Sequence, residues 1–300
     1  MMFKNKWMII VCSALLTAFM LFSYTPLGSW FTNPEMREAI IFFPEDDQVS
    51  FVEQGTEIQL LELKDANEYY LEWQYYSLTD TPVYLRQDVS LLFENGMLVD
   101  KKWTTSNTKD KIKGKSIFKG EDSGRHEAIS FHYAEIHYPE DIIKSKRAMS
   151  SDILYIIDSP LSPIMTFKEP NTTMEQRSKE LLDSIIDQQL SYVWDGLIEE
   201  FQINQGEYLQ IPFNEITKYE TEPLYTFTME ETSNIIGKLW ESLYRHYILG
   251  INTFNDKEYD PIGNTLPLIL LHEGGDHIII LYETGEQTKQ QILQHIDVNK

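Results

Sequence analysis

One long apolar run dominates what this chain can become, and it sits at the extreme N-terminus: Lys4–Tyr24, KNKWMIIVCSALLTAFMLFSY. Trp7 to Tyr24 is 18 residues interrupted only by Ser13, Thr17 and Ser23. A secretory core usually holds about 7–15 apolar residues, and a spanning helix needs about 20, with about 17 as its lower limit. The run lies on that border, so its flanks decide. Lys4 and Lys6 precede it and no base follows until Arg37, which puts the N-terminus in the cytoplasm and the rest outside. Trp7 and Tyr24 fall where interfacial aromatics sit. The small residues needed for cleavage occur only at Ser23-Tyr24-Thr25, followed at once by Pro26. The reading is an uncleaved signal-anchor over residues 1–24, with secretion after signal-peptide cleavage as the alternative. A run apolar all round fits a buried helix of a soluble protein less well.

Charge and thiols narrow the chemistry further. The 47 Asp and Glu outnumber the 25 Lys and Arg, and no acid precedes Glu35, so the whole negative excess lies beyond the run. Such a surface repels phosphate backbones, so no nucleic-acid partner is expected. The single cysteine, Cys12, lies inside the run, which leaves the rest without disulfides, a thiol nucleophile or thiolate metal sites. Val11 before it, and the apolar residues after it, make it a poor lipidation site.

Residues 25–50 carry Pro26, Pro34 and Pro44 with no sustained period, which reads as a juxtamembrane stalk. Within it Asn33 and Pro34 could start a short helix to Phe43. The acidic triplet Glu45-Asp46-Asp47 reads as a solvated turn rather than a cation site.

From residue 51 the apolar period becomes two. Glu57–Leu63, Tyr69–Leu78, Val83–Phe93, Met97–Trp103, Ile129–Tyr138 and Ile153–Ile157 all read as strands. Asn95-Gly96 is a two-residue hairpin signal, because both central positions need positive φ. Residues 51–160 are therefore expected to form an antiparallel, sandwich-like β-rich domain. Alternation puts Tyr69, Leu71, Trp73 and Tyr75 on one face, a core face. Tyr70, Glu72, Gln74 and Tyr76 fall on the other, where Tyr70 and Tyr76 are candidates for stacking on sugar rings. Residues 101–119 hold seven lysines against one acid, Asp110. Lys109, Lys111, Lys113 and Lys115 are candidates for contact with anionic wall polymer or lipid headgroups. The same lysines on an edge hairpin would block strand-to-strand aggregation. His132 and His137 fall on opposite faces of one strand and cannot share a metal.

Pro160, Pro163 and Pro170 mark a crossing to an α+β domain over 161–300. Apolar residues from Met174 through Leu181, Ile185, Leu190 and Leu197 to Phe201 recur at helical spacing, and Thr172 with Glu175 makes a capping box. A second helix runs from Met229 to about Leu249, with Thr228 and Glu231 as its box and Gly250 as its stop; Gly237 inside it suits close packing. Tyr208–Phe213 and Leu224–Phe227 read as strands. Leu266–Leu271 and Ile278–Tyr282 form a hairpin apolar on both faces, so both sides should be covered. The tail from Thr288 is open between strand and helix.

The hairpin tip is His272-Glu273-Gly274-Gly275-Asp276-His277. A zinc-protease helix needs its two histidines four residues apart; here the spacing is five, and the glycines oppose a helix. On a hairpin, His272 faces His277 with Cβ atoms about 4.5–5.5 Å apart, close enough to share a metal, while Glu273 faces Asp276 and the two carboxylates could share a hard cation. Two histidines are too few ligands for a structural zinc, and alternation identifies no third. Nucleophile elbows, phosphate loops and dinucleotide fingerprints do not occur, so no cofactor is expected. The fold class is α+β: a signal-anchor helix, a sandwich-like β-rich domain, then two long helices packed on an antiparallel sheet. The function expected is a single-pass, non-catalytic binding or accessory protein on the outside of a Gram-positive-type cell envelope. Its partner would be another envelope protein or an anionic wall polymer. A cation-dependent envelope hydrolase built on His272 and His277 is the alternative.

Overall fold

Alternating apolar residues from position 51 onward build eight antiparallel strands in two sheets. They are β1 (Phe51–Asp65), β2 (Glu68–Thr79), β3 (Leu85–Glu94), β4 (Met97–Asn107), β5 (Lys111–Gly120), β6 (Gly124–His137), β7 (Ile143–Ser159) and β8 (Ser162–Phe167). The smaller sheet has the order β1-β2-β5 and the larger β4-β3-β6-β7-β8. They pack face to face through Ile58, Leu71, Trp73 and Tyr75 on one side and Leu92, Ala128, Leu154 and Ile156 on the other. The computed structural model describes residues 40–65, 68–159, 162–251 and 258–296. The apolar run, the Cys12 thiol and most of the stalk lie outside them. Glu38–Lys300 forms one compact unit. Among the described residues no helix is long and apolar enough to cross a membrane.

Local chemistry explains the register. Asn95 and Gly96 both have positive φ, 51° and 80°, as a two-residue turn joining β3 to β4 requires. β2 buries every second side chain, beginning with Tyr69, Leu71, Trp73 and Tyr75. Three of its four tyrosines lie across glycines directly opposite: Tyr69 on Gly120, Tyr75 on Gly114 and Tyr76 on Gly55. A Cβ on Gly114 would fall 2.3 Å from the Tyr75 ring, so small residues on the outer strands make room for large ones on the central strand. β7 starts ten residues before the expected Ile153, because polar residues such as Lys144, Ser145 and Lys146 hide a strand from an apolar-period reading. The lysine-rich stretch spans the second half of β4, a turn and strand β5, and β5 is an edge. The proline-punctuated crossing contains β8, also an edge, where a missing N–H is tolerated.

The remaining elements are α1 (Thr173–Glu200), β9 (Tyr208–Pro212), a 3-10 helix over Phe213–Glu220, α2 (Met229–Ser242), β10 (Leu268–His272), β11 (His277–Glu283) and β12 (Lys289–His295). Both capping boxes form, Thr172 with Glu175 and Thr228 with Glu231. The sheet order is β12-β11-β10-β9, which resolves the tail as a strand. Leu197 and Ile198 of α1 cover one face, against Leu268, Leu270, Ile279 and Leu281. On the other, the π-helical extension of α2, Leu243–Ile248, sets Tyr247 edge-on to Tyr282. α2 also reaches the β-rich region, with Trp240 stacked 4.3 Å from Phe131. Gly237 admits Phe42, which a Cβ would approach to 3.0 Å.

Two expectations differ. Leu224–Phe227 is a turn, not a strand: Tyr225 has φ 55° and the Thr232 hydroxyl accepts from the Leu224 N–H. The stripe of α1 is only half used, since Met174, Leu181 and Ile185 are exposed and Tyr192 is the most exposed of its large side chains.

Candidate functional site

The three-stranded sheet turns one face to the large sheet and the other outward. On the outward face the β2–β5 register sets Tyr76 opposite Lys113, Gln74 opposite Lys115, Tyr70 opposite Lys119 and Leu78 opposite Lys111. Two features that are separate in the sequence, the lysine cluster and the outer tyrosines, thus share one surface. Lys109 sits in the turn that precedes β5. Lys115 pairs with Glu72 at 2.9 Å, and Lys119 bridges Glu68 and Glu121 at 2.7 and 3.0 Å. Lys115 also holds the Glu72 carboxyl below its usual range. Lys109, Lys111 and Lys113 have no ion pair within 4 Å among the described residues, so the far end of β5 keeps uncompensated positive charge on an acidic chain. Side chains on one face of a strand recur about every 6.8 Å, which makes β5 a short ladder of cations beside the half-buried ring of Tyr76.

The hairpin tip brings together a second group. β10 and β11 pair with Leu271 opposite Ile278, and the next pair out is His272 and His277, whose rings stack 4.6 Å apart. Asp276 does not face Glu273 as strand alternation suggests; the turn directs it at the histidines. Its Oδ1 lies 2.6 Å from His272 Nδ1 and 2.8 Å from His277 Nδ1. An ionised carboxylate only accepts, so both Nδ1 atoms donate, and His277 Nε2 accepts from the Tyr208 hydroxyl at 2.9 Å. Hydrogen bonds from His277 and then His272 hold the Asp276 carboxyl below its usual range. Gly274 keeps space beside His272, since a Cβ would fall 3.1 Å from its Nδ1. Gly275, at φ 70°, lies against the Phe227 ring, and the Asp276 carbonyl accepts from the Ile296 N–H. The tip is therefore held from three sides. A cavity of about 100 Å³ adjoins His272, lined by Tyr208, Tyr225 and Phe227 among others.

A third group looks catalytic by bonding order and is closed by packing. His132 Nδ1 lies 2.8 Å from Asp88 Oδ2, and His132 Nε2 lies 2.8 Å from Ser150 Oγ, the order of a hydrolase triad. His132 and Asp88 are fully buried. Ser150 Oγ is capped at 2.7 Å by Thr56 Oγ1 of the facing sheet. From there the chain of bonds runs through Ser130 and Ser90 to the Trp73 indole. With every hydroxyl engaged between sheets, this is a polar seam, fully buried at Asp88 and His132 and half-buried at Ser150 and Thr56, that fixes how the two sheets mate.

Elsewhere, polar groups serve the fold. His137 is separated from His132, stacked 3.7 Å on Tyr84 and bonded to Glu135. In the acidic triplet, Asp46 is buried and accepts from the Gln48 and Val49 N–H groups and the Tyr138 hydroxyl, while Glu45 pairs with Lys146. The cavity of about 740 Å³ beside them is lined by Phe42, Glu45, Arg147 and Lys238 among others. Its cations are already engaged, Arg147 with Glu220 and Lys238 with Glu241.

Sequence reasoning missed Asp276 as a companion of the histidines, because the alternation rule stops at the last paired residue of a hairpin. It also missed the Asp88–His132–Ser150 seam, whose members come from three strands; the one available signal was three polar residues at inward positions of apolar strands. No protein-family model, no curated protein and no solved structure matches this chain.

Proposed function

We propose that this is a membrane-anchored, extracytoplasmic binding protein of a bacterial cell envelope, without catalytic activity, that holds an anionic wall polymer on the outward face of β1-β2-β5. The observation that carries the reading is the register of β5. It sets Lys111, Lys113 and Lys115 on one exposed side of an edge strand, with Tyr76 and Leu78 beside them, and Lys111 and Lys113 have no ion pair among the described residues. A polyanion satisfies those charges at a spacing the strand fixes, and Tyr76 offers a flat surface to a sugar or polyol unit. The apolar run with lysines on its inner side only supports an anchor that leaves this face outside the cell. The residues between the apolar run and the folded unit that begins at Glu38 then serve as a tether, the sheets of β1–β8 as the binding region and the helices with β9–β12 as its support.

The hydrolase alternative rests on His272 and His277. The cavity beside that tip is about 100 Å³.

Pull-down of the full-length protein on purified cell walls tests the reading. Binding should weaken as salt screens the lysines, and should be lost when Lys109, Lys111, Lys113 and Lys115 are changed to Glu. Unchanged binding by that variant refutes the polymer contact. Protease shaving of intact cells tests topology: the protein should be cut, and its survival while exposed controls are degraded would overturn the orientation.

A further inference from the structure

We infer that His272, Asp276 and His277 form a binding site for a divalent transition metal of the zinc class, a property independent of polymer binding. The three side chains each present one ligand atom, all within 4.8 Å of one another. Two imidazole nitrogens and one carboxylate oxygen are a donor set suited to Zn²⁺ rather than to Ca²⁺ or Mg²⁺, which take oxygen ligands. A tetrahedral centre with bonds of about 2.0–2.1 Å separates its ligand atoms by about 3.3 Å. The two separations from Asp276, 2.6 and 2.8 Å, open to that value with a small movement of its side chain, which is 67% exposed, and the histidine ligand atoms lie within 4.8 Å of each other.

The surroundings favour such a site in two ways. Tyr208 meets His277 Nε2 at 2.9 Å. When Nδ1 binds a metal, the ring takes the other tautomer and its Nε2–H donates to the tyrosine oxygen, the arrangement that orients metal-bound histidines. A tyrosine hydroxyl accepts as well as it donates, so the contact survives the change. The backbone is also shaped for the purpose. Gly274 leaves the His272 Nδ1 side open, and Gly275 against Phe227 holds the turn that carries Asp276. Three protein ligands leave a fourth position for water or an exogenous group.

The test is zinc titration of the untagged full-length protein in detergent, by calorimetry and by competition with a chromogenic chelator. One zinc per chain should bind, Mg²⁺ and Ca²⁺ should not compete, and zinc should raise the melting temperature of the wild-type chain. Tyr208→Phe should weaken binding about 10–100-fold. His272→Ala and His277→Ala should each weaken it further, with the zinc-free melting temperature of each variant checking its fold. Co²⁺ should give the visible absorption of a tetrahedral centre with nitrogen ligands. Absence of saturable uptake by the wild-type chain overturns the inference, as does uptake unchanged in both histidine variants.

Discussion

The inward and outward faces of β2 carry similar residue types, tyrosines beside polar groups, and put them to opposite uses. Inward, Tyr69, Trp73 and Tyr75 are fully buried and each polar atom has a protein partner: Tyr69 with the Asp122 carbonyl and His126, Trp73 with Ser90, Tyr75 with Thr104. Burial pushes the Tyr75 hydroxyl up to about 12, so it stays neutral. Outward, Tyr76 is half-buried, and of the exposed lysines beside it on β5 Lys115 pairs with Glu72 while Lys111 and Lys113 have no ion pair among the described residues. Satisfied polar groups inside a sheet pair specify how it packs, whereas unsatisfied charge on its outside is available to a ligand. The inward face should therefore answer to mutation in stability and the outward face in binding.

The largest effect belongs to Trp73→Ala, which empties a large buried site and strips Ser90 of a partner. It should destabilise the chain by about 3–5 kcal/mol, measured by denaturant unfolding. Next is pH. Burial lowers the His126 pKa from 6.5 to about 4, so on acidification the unfolded chain takes this proton first. Its contribution is fully present above about pH 6.5 and is lost as pH falls towards 4, by about 3 kcal/mol in all. The stability of a His126→Gln variant should fall less steeply over that window, and a parallel pH profile would contradict the assignment. Gly114→Ala forces a methyl against the Tyr75 ring and should cost about 1–3 kcal/mol. The smallest stability effect is expected outside: Lys111→Glu with Lys113→Glu should change unfolding by no more than about 0.5 kcal/mol. If the outward pair proves as costly as Gly114→Ala, the division between the two faces fails.

Much of this division was legible in the sequence. The alternation from Tyr69 to Tyr76 assigned both faces correctly, Asn95-Gly96 marked its hairpin, and both capping boxes marked their helices, because each signal depends on residues close in the chain. What was not legible depends on partners far away. β5 is long and regular only because β2 supplies its hydrogen bonds and lays Tyr75 and Tyr69 on Gly114 and Gly120. The polar first half of β7 is a strand because β6 pairs with it along its length. The exposed side of α1, with Leu181 and Ile185, looked like core because helical period alone does not say which half of a helix finds a sheet. At the hairpin tip the facing histidines were readable, but the turn that delivers Asp276 was not.

The central claim is that the free cations of β5 hold a polyanion. It is tested most directly by measuring the affinity of the full-length protein for soluble poly(glycerol phosphate) across a salt series. The wild-type chain should bind with an affinity that falls steadily with salt. The Lys109→Glu, Lys111→Glu, Lys113→Glu variant should bind at least about tenfold more weakly, a difference of about 1.4 kcal/mol, and lose the salt dependence. A control with the same charge change at Lys168, Lys218 and Lys289, each already paired with an acid, should bind as the wild type does. Equal loss in both variants, or loss in neither, would contradict a site on β5.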